Sequence, residues 1–212
     1  MQCEICKKQS DLRIARGCIN NYCVEINLDS DYFKATNNKQ YCKIINLTKN
    51  ERYRAISIKI EDTKEVCLIV PMFYTAIDKC VVLTEKCIFF MFDRLLFLFD
   101  PITMEIVKQT ENSSSGTMIA AYSYNEDFIL HGEMEIYRVT KELEVKWEFR
   151  GRDIFVRYKG EELAFDMKED RICLYDWQDN YYEINYDGKI LLEKKAKEGE
   201  KRWKLNRLWK KF

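Results

Sequence analysis

The chain has 212 residues, 47% of them apolar and 14% aromatic, with 35 basic and 35 acidic residues and only seven glycines. That is ample apolar material for a core, in one large domain or two small ones, and aromatic side chains favour strands. A membrane-spanning helix is excluded, because the most apolar window, residues 87–99, is too short and is broken by Asp93-Arg94.

Taken in chain order, residues 1–11 are polar and carry Cys3 and Cys6. Nothing before residue 30 reads as a signal peptide. The nine cysteines are odd in number and several lie inside apolar runs, so reduced thiols in a cytoplasmic protein are expected. Residues 12–16, 22–27, 32–36, 41–47 and 52–60 read as strands. In the last of these, Ile56, Ile58 and Ile60 share one face, the period of two of a half-buried strand. Shorter runs follow at 66–70, 72–77 and 79–84. Residues 87–92 and 95–99 are apolar at consecutive positions on either side of Asp93-Arg94. Two strands covered on both faces, and therefore central, are expected there; one buried helix over 87–99 is the rival reading.

Asp100 to Thr103 reads as a turn and 104–109 as a strand. The segment Glu-Asn-Ser-Ser-Ser-Gly at 111–116 reads as an exposed loop. Strands follow at 118–124, 127–131, 135–139, 143–149, 153–158, 162–166, 171–175, 181–186 and 189–193. The last two flank Asp187-Gly188, a strong hairpin signal because Gly tolerates positive φ. With so few glycines, most other turns must rest on Asn, Asp, Lys and Glu.

Residues 194–212 differ in character. They hold nine Lys or Arg against two Glu, a net +7, which leaves 26 basic and 33 acidic residues, or −7, in the rest. Leu205, Leu208, Trp209 and Phe212 are spaced to share one helical face. The expected organisation is one β-rich domain over 1–195 and a basic amphipathic helix over 196–212.

Segments starting at Leu95, Met134 and Arg171 read as successive copies of a hairpin unit, 39 and 37 residues apart. Four short strands per ~40 residues is the spacing of a propeller blade. On these residues the chain resembles β-propeller repeat proteins, although no Trp-Asp or Gly-His signature recurs. The resemblance implies an all-β, hairpin-repeat meander, propeller-like with about five blades. The alternative is a twisted sandwich or open barrel.

Four sets of residues are candidates for function. Cys3, Cys6, Cys18 and Cys23 have the chemistry of a tetrahedral zinc site, or are simply free thiols; no other cofactor is expected. His131 is the single histidine and lies beside apolar residues, the setting of a packed side chain rather than a catalytic base. Asp166, Asp170, Asp176 and Asp179 supply carboxylates for a sugar-polymer hydrolase, or are ordinary turn residues. In the tail, Arg202, Trp203, Arg207 and Trp209 interleave basic and aromatic groups, suited to nucleic acid or to docking on the protein's own sheet. Finally, Trp177, Tyr181, Tyr182, Asp176 and Asp179 form an acidic, aromatic stretch of the kind that binds a protein partner. The reading favoured is a non-enzymatic protein-binding module. In charge and style it resembles bacterial immunity proteins, which implies a basic cognate toxin as partner.

Overall fold

The computed structural model describes residues 14–19, 22–30, 32, 40–49, 52–61, 64–156 and 164–196. Seventeen strands among them form four sheets. The first, blade 1, has the spatial order β1 (Ile14–Ile19), β2 (Tyr22–Leu28), β4 (Tyr53–Ile60), β5 (Lys64–Pro71), β3 (Lys43–Asn46). Only β3 is parallel to its neighbour. Blade 2 is an antiparallel meander of β6 (Val81–Leu83), β7 (Ile88–Phe92), β8 (Leu95–Asp100) and β9 (Glu105–Glu111). Blade 3 repeats it with β10 (Met118–Tyr124), β11 (Asp127–Gly132), β12 (Glu135–Val139) and β13 (Val145–Arg150), and blade 4 with β14 (Phe165–Met167), β15 (Ile172–Tyr175), β16 (Tyr181–Ile184) and β17 (Ile190–Lys194). The architecture is all-β and propeller-like.

The blades stack face to face because each strand pair offers two apolar faces. In β7, Ile88, Phe90 and Phe92 enter the core shared with blade 1, whereas Phe89 and Met91 enter the core shared with blade 3. Strand β8 divides the same way, Phe97 and Phe99 against Leu96 and Leu98. Phe89 stacks on Phe128 of blade 3 at 4.0 Å between ring centroids. The two strands over 87–99 are thus central, as expected, and the helical alternative is excluded. Between blades 3 and 4, Ile129, Ile136 and Phe149 meet Leu174, Tyr182 and Ile184. Arg138 adds a polar clasp there: Nε donates to Asp127 at 2.7 Å and Nη1 to the Tyr186 carbonyl at 2.7 Å, while Tyr186 stacks on Tyr124 at 3.7 Å. The outermost strands β9, β13 and β17 are largely exposed.

Several expectations change. Residues 14–71 build one five-stranded blade, with β3 added to its outer edge, so the described residues hold four blades where about five were expected. The repeat is also offset by one strand in its last copy. β8 and β12 are third strands, but 171–175 is the second strand of blade 4, and its true counterpart is β16. β13 ends at Arg150 and β14 begins only at Phe165, a wider spacing in sequence than between β9 and β10, and this pushes the repeat register out. Residues 72–76 are not a strand; they lead into a single 3-10 turn at Ile77–Lys79, and Phe73 and Ile77 plug the core of blades 1 and 2. The 111–116 loop is half buried through Asn112 and Ser114. The basic tail beyond residue 196 lies outside the described residues.

Few glycines suffice because the turns are stapled by side chains. In the hairpin closing each of blades 2, 3 and 4, a polar residue at the turn start accepts from donors two to four residues on: Asp100 from the Ile102 amide and Thr103 hydroxyl, Thr140 from the Glu142 and Glu144 amides, Asn185 from the Asp187 and Lys189 amides. Each turn ends on a left-handed residue, Met104, Leu143 or Gly188 (φ 57°, 60° and 78°), and each strand pair carries a register shift. A type I turn with a left-handed residue and a bulge is a standard hairpin solution. Only Gly188 takes it without a side-chain penalty, which for the other two is about 1 kcal/mol each.

His131 lies at the contact of blades 3 and 4. It is buried, stacks on Phe165 at 4.7 Å, and its Nε2 is 3.1 Å from the Phe155 carbonyl. Burial lowers its pKa to about 4, against a smaller raising effect of that carbonyl. The unfolded imidazole titrates near ~6.5, so the unfolded chain binds more protons between these values and stability rises with pH across that window. The contribution is fully present above pH ~6.5 and lost as pH falls toward 4, on the order of 3 kcal/mol in total. Urea denaturation at pH 7 and pH 4.5 should show wild type losing more stability than His131→Gln; equal losses would refute the buried neutral imidazole.

Candidate functional site

Strands β6, β10 and β14 begin at the same end of the stack, here termed the upper end. The segments 72–80, 93–94, 112–117, 133–134, 151–156 and 176–180 turn there. Backbone hydrogen bonds join these segments across three blades: Asn112 N to Arg94 O (2.9 Å), Glu133 N to Thr117 O (2.8 Å), Phe155 N to Glu133 O (2.7 Å) and Trp177 N to Ile154 O (2.7 Å). The Thr75 hydroxyl extends the relay by donating to the Met118 carbonyl at 2.9 Å. Loops tied in this way spend their backbone polar groups on each other and hold a fixed surface.

Two buried carboxylates complete the platform. Glu135 is fully buried and accepts from the hydroxyls of Ser114 (3.0 Å) and Ser115 (2.5 Å), with Arg150 Nη2 at 2.9 Å. It therefore fixes the 112–117 loop on blade 3. Asp176 is also fully buried and accepts from the amides of Gln178 (3.0 Å) and Asn180 (2.9 Å), from Asn180 Nδ2 (2.8 Å) and from the Tyr182 hydroxyl (2.9 Å). The Arg152 amide donates to that same hydroxyl at 3.0 Å, which ties in the 151–156 segment. Burial, opposed by the Arg152 amide and reinforced by Asp176, pushes the Tyr182 hydroxyl up to about 12.

On this platform stand the large exposed side chains Tyr53 (40%), Tyr74 (79%), Met134 (36%) and Trp177 (42%), drawn from blades 1, 3 and 4 and from the connection between blades 1 and 2. The other exposed large apolar residues, among those described, are Ile44, Val107, Val145, Ile190 and Leu191 on outermost strands and Ile102 in a turn at the lower end. A cavity of about 200 Å³ opens at the upper end between Phe73, Tyr74, Thr117 and Met118. A larger one, about 450 Å³, lies at the lower end between blades 2 and 3. Of the charged residues that line it, Lys141 and Glu126 pair with each other at 2.7 Å, beside Glu85, Lys86 and Asp127.

The residues singled out from sequence separate into groups. Of the aromatic and acidic stretch, Trp177 is exposed, Asp179 and Tyr181 are half-buried, and Asp176 and Tyr182 point inward as loop supports. Tyr181 donates to Glu183 at 2.7 Å. The four aspartates do not converge: Asp166 and Asp170 flank the lower turn of β14 and β15, paired with Lys168 (2.6 Å) and Arg171 (2.9 Å), whereas Asp176 and Asp179 are at the upper end. Cys18 and Cys23 face each other on β1 and β2. Cys3, Cys6, Arg202, Trp203, Arg207 and Trp209 lie outside the described residues. Sequence reasoning missed Tyr53, Tyr74, Met134 and Glu135. Tyr74 sits in a short β-rich run that reads as a strand, and Glu135 is one of many charged residues at strand ends, so neither carried a signal by itself.

No protein-family model and no curated protein sequence matches the chain. Among solved structures, it is similar to the CNH domain of AfRom2 (9% identity, TM-score 0.47, covering 87% of this chain and 54% of that one). It is also similar to BamB from Moraxella catarrhalis (15%, 0.44, 82% and 59%) and to the WD40 domain of Neurospora crassa Pan2 (10%, 0.43, 56% and 38%). The likeness is one of fold, and the chain spans between 38% and 59% of their lengths. Among the described residues no helix is long and apolar enough to cross a membrane.

The two roles within the 176–180 turn are separable. Asp176→Ala leaves four donors without an acceptor and should lower the unfolding free energy by about 2–4 kcal/mol. Trp177→Ala, next to it but exposed, should change it by less than about 1 kcal/mol. Urea titrations of both variants measure the difference, and a smaller loss for Asp176→Ala than for Trp177→Ala would contradict the assignment.

Proposed function

We propose that the chain is a non-catalytic protein-binding module whose upper end is the binding surface. The observation that carries this reading is the placement of Tyr53, Tyr74, Met134 and Trp177 at one end of the stack, where buried Glu135 and Asp176 hold the loops beside Met134 and Trp177 and the Thr75 hydroxyl ties the segment of Tyr74 to Met118. Tyr, Trp and Met are the side chains enriched in interface cores. A surface already fixed by hydrogen bonds loses little conformational freedom when a partner binds. The dispersal of the aspartates and the buried, neutral His131 favour binding over a histidine- or carboxylate-dependent hydrolase.

The finer form of the reading is an immunity protein with a basic toxin as its partner. Its support is the −7 balance of residues 1–193 against the +7 of the remainder, since an acidic body speeds encounter with a basic protein at low salt.

Tagged chain, used to capture proteins from its native host at low salt, should retain one partner in stoichiometric amount. Tyr74→Ala and Trp177→Ala should each weaken that complex about 30-fold, the scale of a ~2 kcal/mol hot spot, while Ile102→Ala at the lower end leaves it unchanged. A complex indifferent to both upper-end variants would place the surface elsewhere. For a basic toxin, the association rate should also fall at least about 10-fold between 50 mM and 500 mM salt; a salt-independent rate would remove the toxin assignment and leave the binding module standing.

A further inference from the structure

The β1–β2 hairpin places two cysteines side by side at the edge of blade 1. Alternation along β1 and β2 sends Ile19, Val24 and Ile26 into the core between blades 1 and 2. Gly17 faces the same way, so close to blade 2 that a Cβ there would fall 2.0 Å from Leu83 Cδ1. Cys18 and Cys23 occupy the other face, directly opposite one another in register. Cys18 is exposed and Cys23 half-buried. Cys67 and Cys80, in contrast, are fully buried, and burial, reinforced by Asp78, pushes the Cys80 thiol up to about 12.

Backbone hydrogen bonding fixes what kind of pair Cys18 and Cys23 form. The Cys23 carbonyl accepts at 2.9 Å from the amide of Glu61, the residue after β4. In an antiparallel sheet the N–H and C=O of one residue serve the same neighbouring strand. Those of Cys23 therefore serve the β4 side and not β1. Across β1 and β2, Cys18 and Cys23 are thus a non-hydrogen-bonded pair, in which the Cα atoms stand about 4.5 Å apart and the side chains come closest. A disulfide spans Cα separations of about 4.4–6.8 Å. The two sulfurs are 3.4 Å apart, so bond formation needs side-chain rotation and no shift of the strands.

We propose that Cys18 and Cys23 form a reversible cross-strand disulfide by exchange with a small-molecule disulfide. The exposed Cys18 thiolate attacks one sulfur of the small disulfide and releases one small thiolate. The Cys23 thiolate then attacks the Cys18 sulfur of this mixed disulfide and releases the second. The protons of the two cysteines pass through solvent to the released thiolates. The protein pair is oxidised by two electrons, and the small disulfide is reduced to two thiols. The bond acts on β1, an edge strand that hydrogen-bonds within blade 1 to β2 alone among the described strands. It keeps Gly17 and Ile19 seated against blade 2 and so opposes peeling of that edge.

The test uses the full chain, first reduced and then equilibrated with excess oxidised glutathione, with free thiols alkylated before peptide mapping. The expected main product is a pair of peptides joined through Cys18 and Cys23, lost after dithiothreitol. Amide hydrogen exchange in β1 and β2 should be at least about 10-fold slower in the oxidised chain. Cys18→Ser and Cys23→Ser should each abolish both the link and the slowing, while Cys42→Ser, an exposed cysteine on another segment, keeps both. The wild-type map decides by itself where a variant fails to fold. Thiols that stay free, or that each carry a separate glutathione, overturn the proposal. So does a main product joining Cys18 or Cys23 to another cysteine, or a Cys18–Cys23 link that leaves exchange in β1 unchanged.

Discussion

The structure depends on the burial of blade 2 on both faces. Strands β7 and β8 carry Phe at 89, 90, 92, 97 and 99, every one of them buried, and no polar face remains to meet water. Such a sheet is stable only with a neighbour on each side. Blade 1 covers one face mainly with Ile and Val, and blade 3 covers the other with Phe128, Leu130, Tyr137 and Val139. The stacking direction follows from this double burial, and with it the division of all the turns between two ends. What the molecule can present to a partner is thus set by hydrophobic burial in its middle.

Polar groups then distinguish the two ends. The upper end has fully buried Glu135, which serves hydroxyls of the 112–117 loop, and fully buried Asp176, which serves four donors of its own turn and of Tyr182, whose hydroxyl also takes the Arg152 amide. A buried carboxylate is costly unless its oxygens are satisfied, so each of these sites specifies one loop conformation. The lower end relies on local staples, Asp100, Thr140 and Asn185, which bind donors of their own turns. Local staples shape single hairpins, whereas Glu135 and Asp176 connect segments 20 to 30 residues apart through Ser115 and, by way of Tyr182, Arg152. That contrast explains why exposed Trp177 can be offered on a rigid surface.

Much of the fold was legible in the chain. Period two along β4 marked Ile56, Ile58 and Ile60 as one face, and they do enter a single core. Consecutive apolar residues around Asp93-Arg94 marked two central strands, and Asp93 adopts the left-handed conformation the turn needs (φ 54°). The lone His131 read as a packed residue and is one. The site was less legible. Trp177 was named and is exposed, but its neighbours Asp176 and Tyr182 are spent inside, on each other and on the Arg152 amide. A turn aspartate that faces solvent and one that anchors a loop have the same sequence signature, because the donors Gln178, Asn180 and Tyr182 are close in the chain either way and only packing decides that the carboxylate is buried.

What the sequence by itself determined was the local content: strand periods, the hairpins and which faces are apolar. These follow from side-chain alternation and turn preference, which act over a few residues. Only the tertiary structure decided that β3 joins β5 in parallel instead of beginning a blade, that the last repeat is offset by one strand, and that residues from blades 1, 3 and 4 share one end. Those outcomes depend on which apolar face meets which, and on buried donors finding acceptors across loops. Neither constraint is written in any one segment, because each is satisfied only when the segments are packed together.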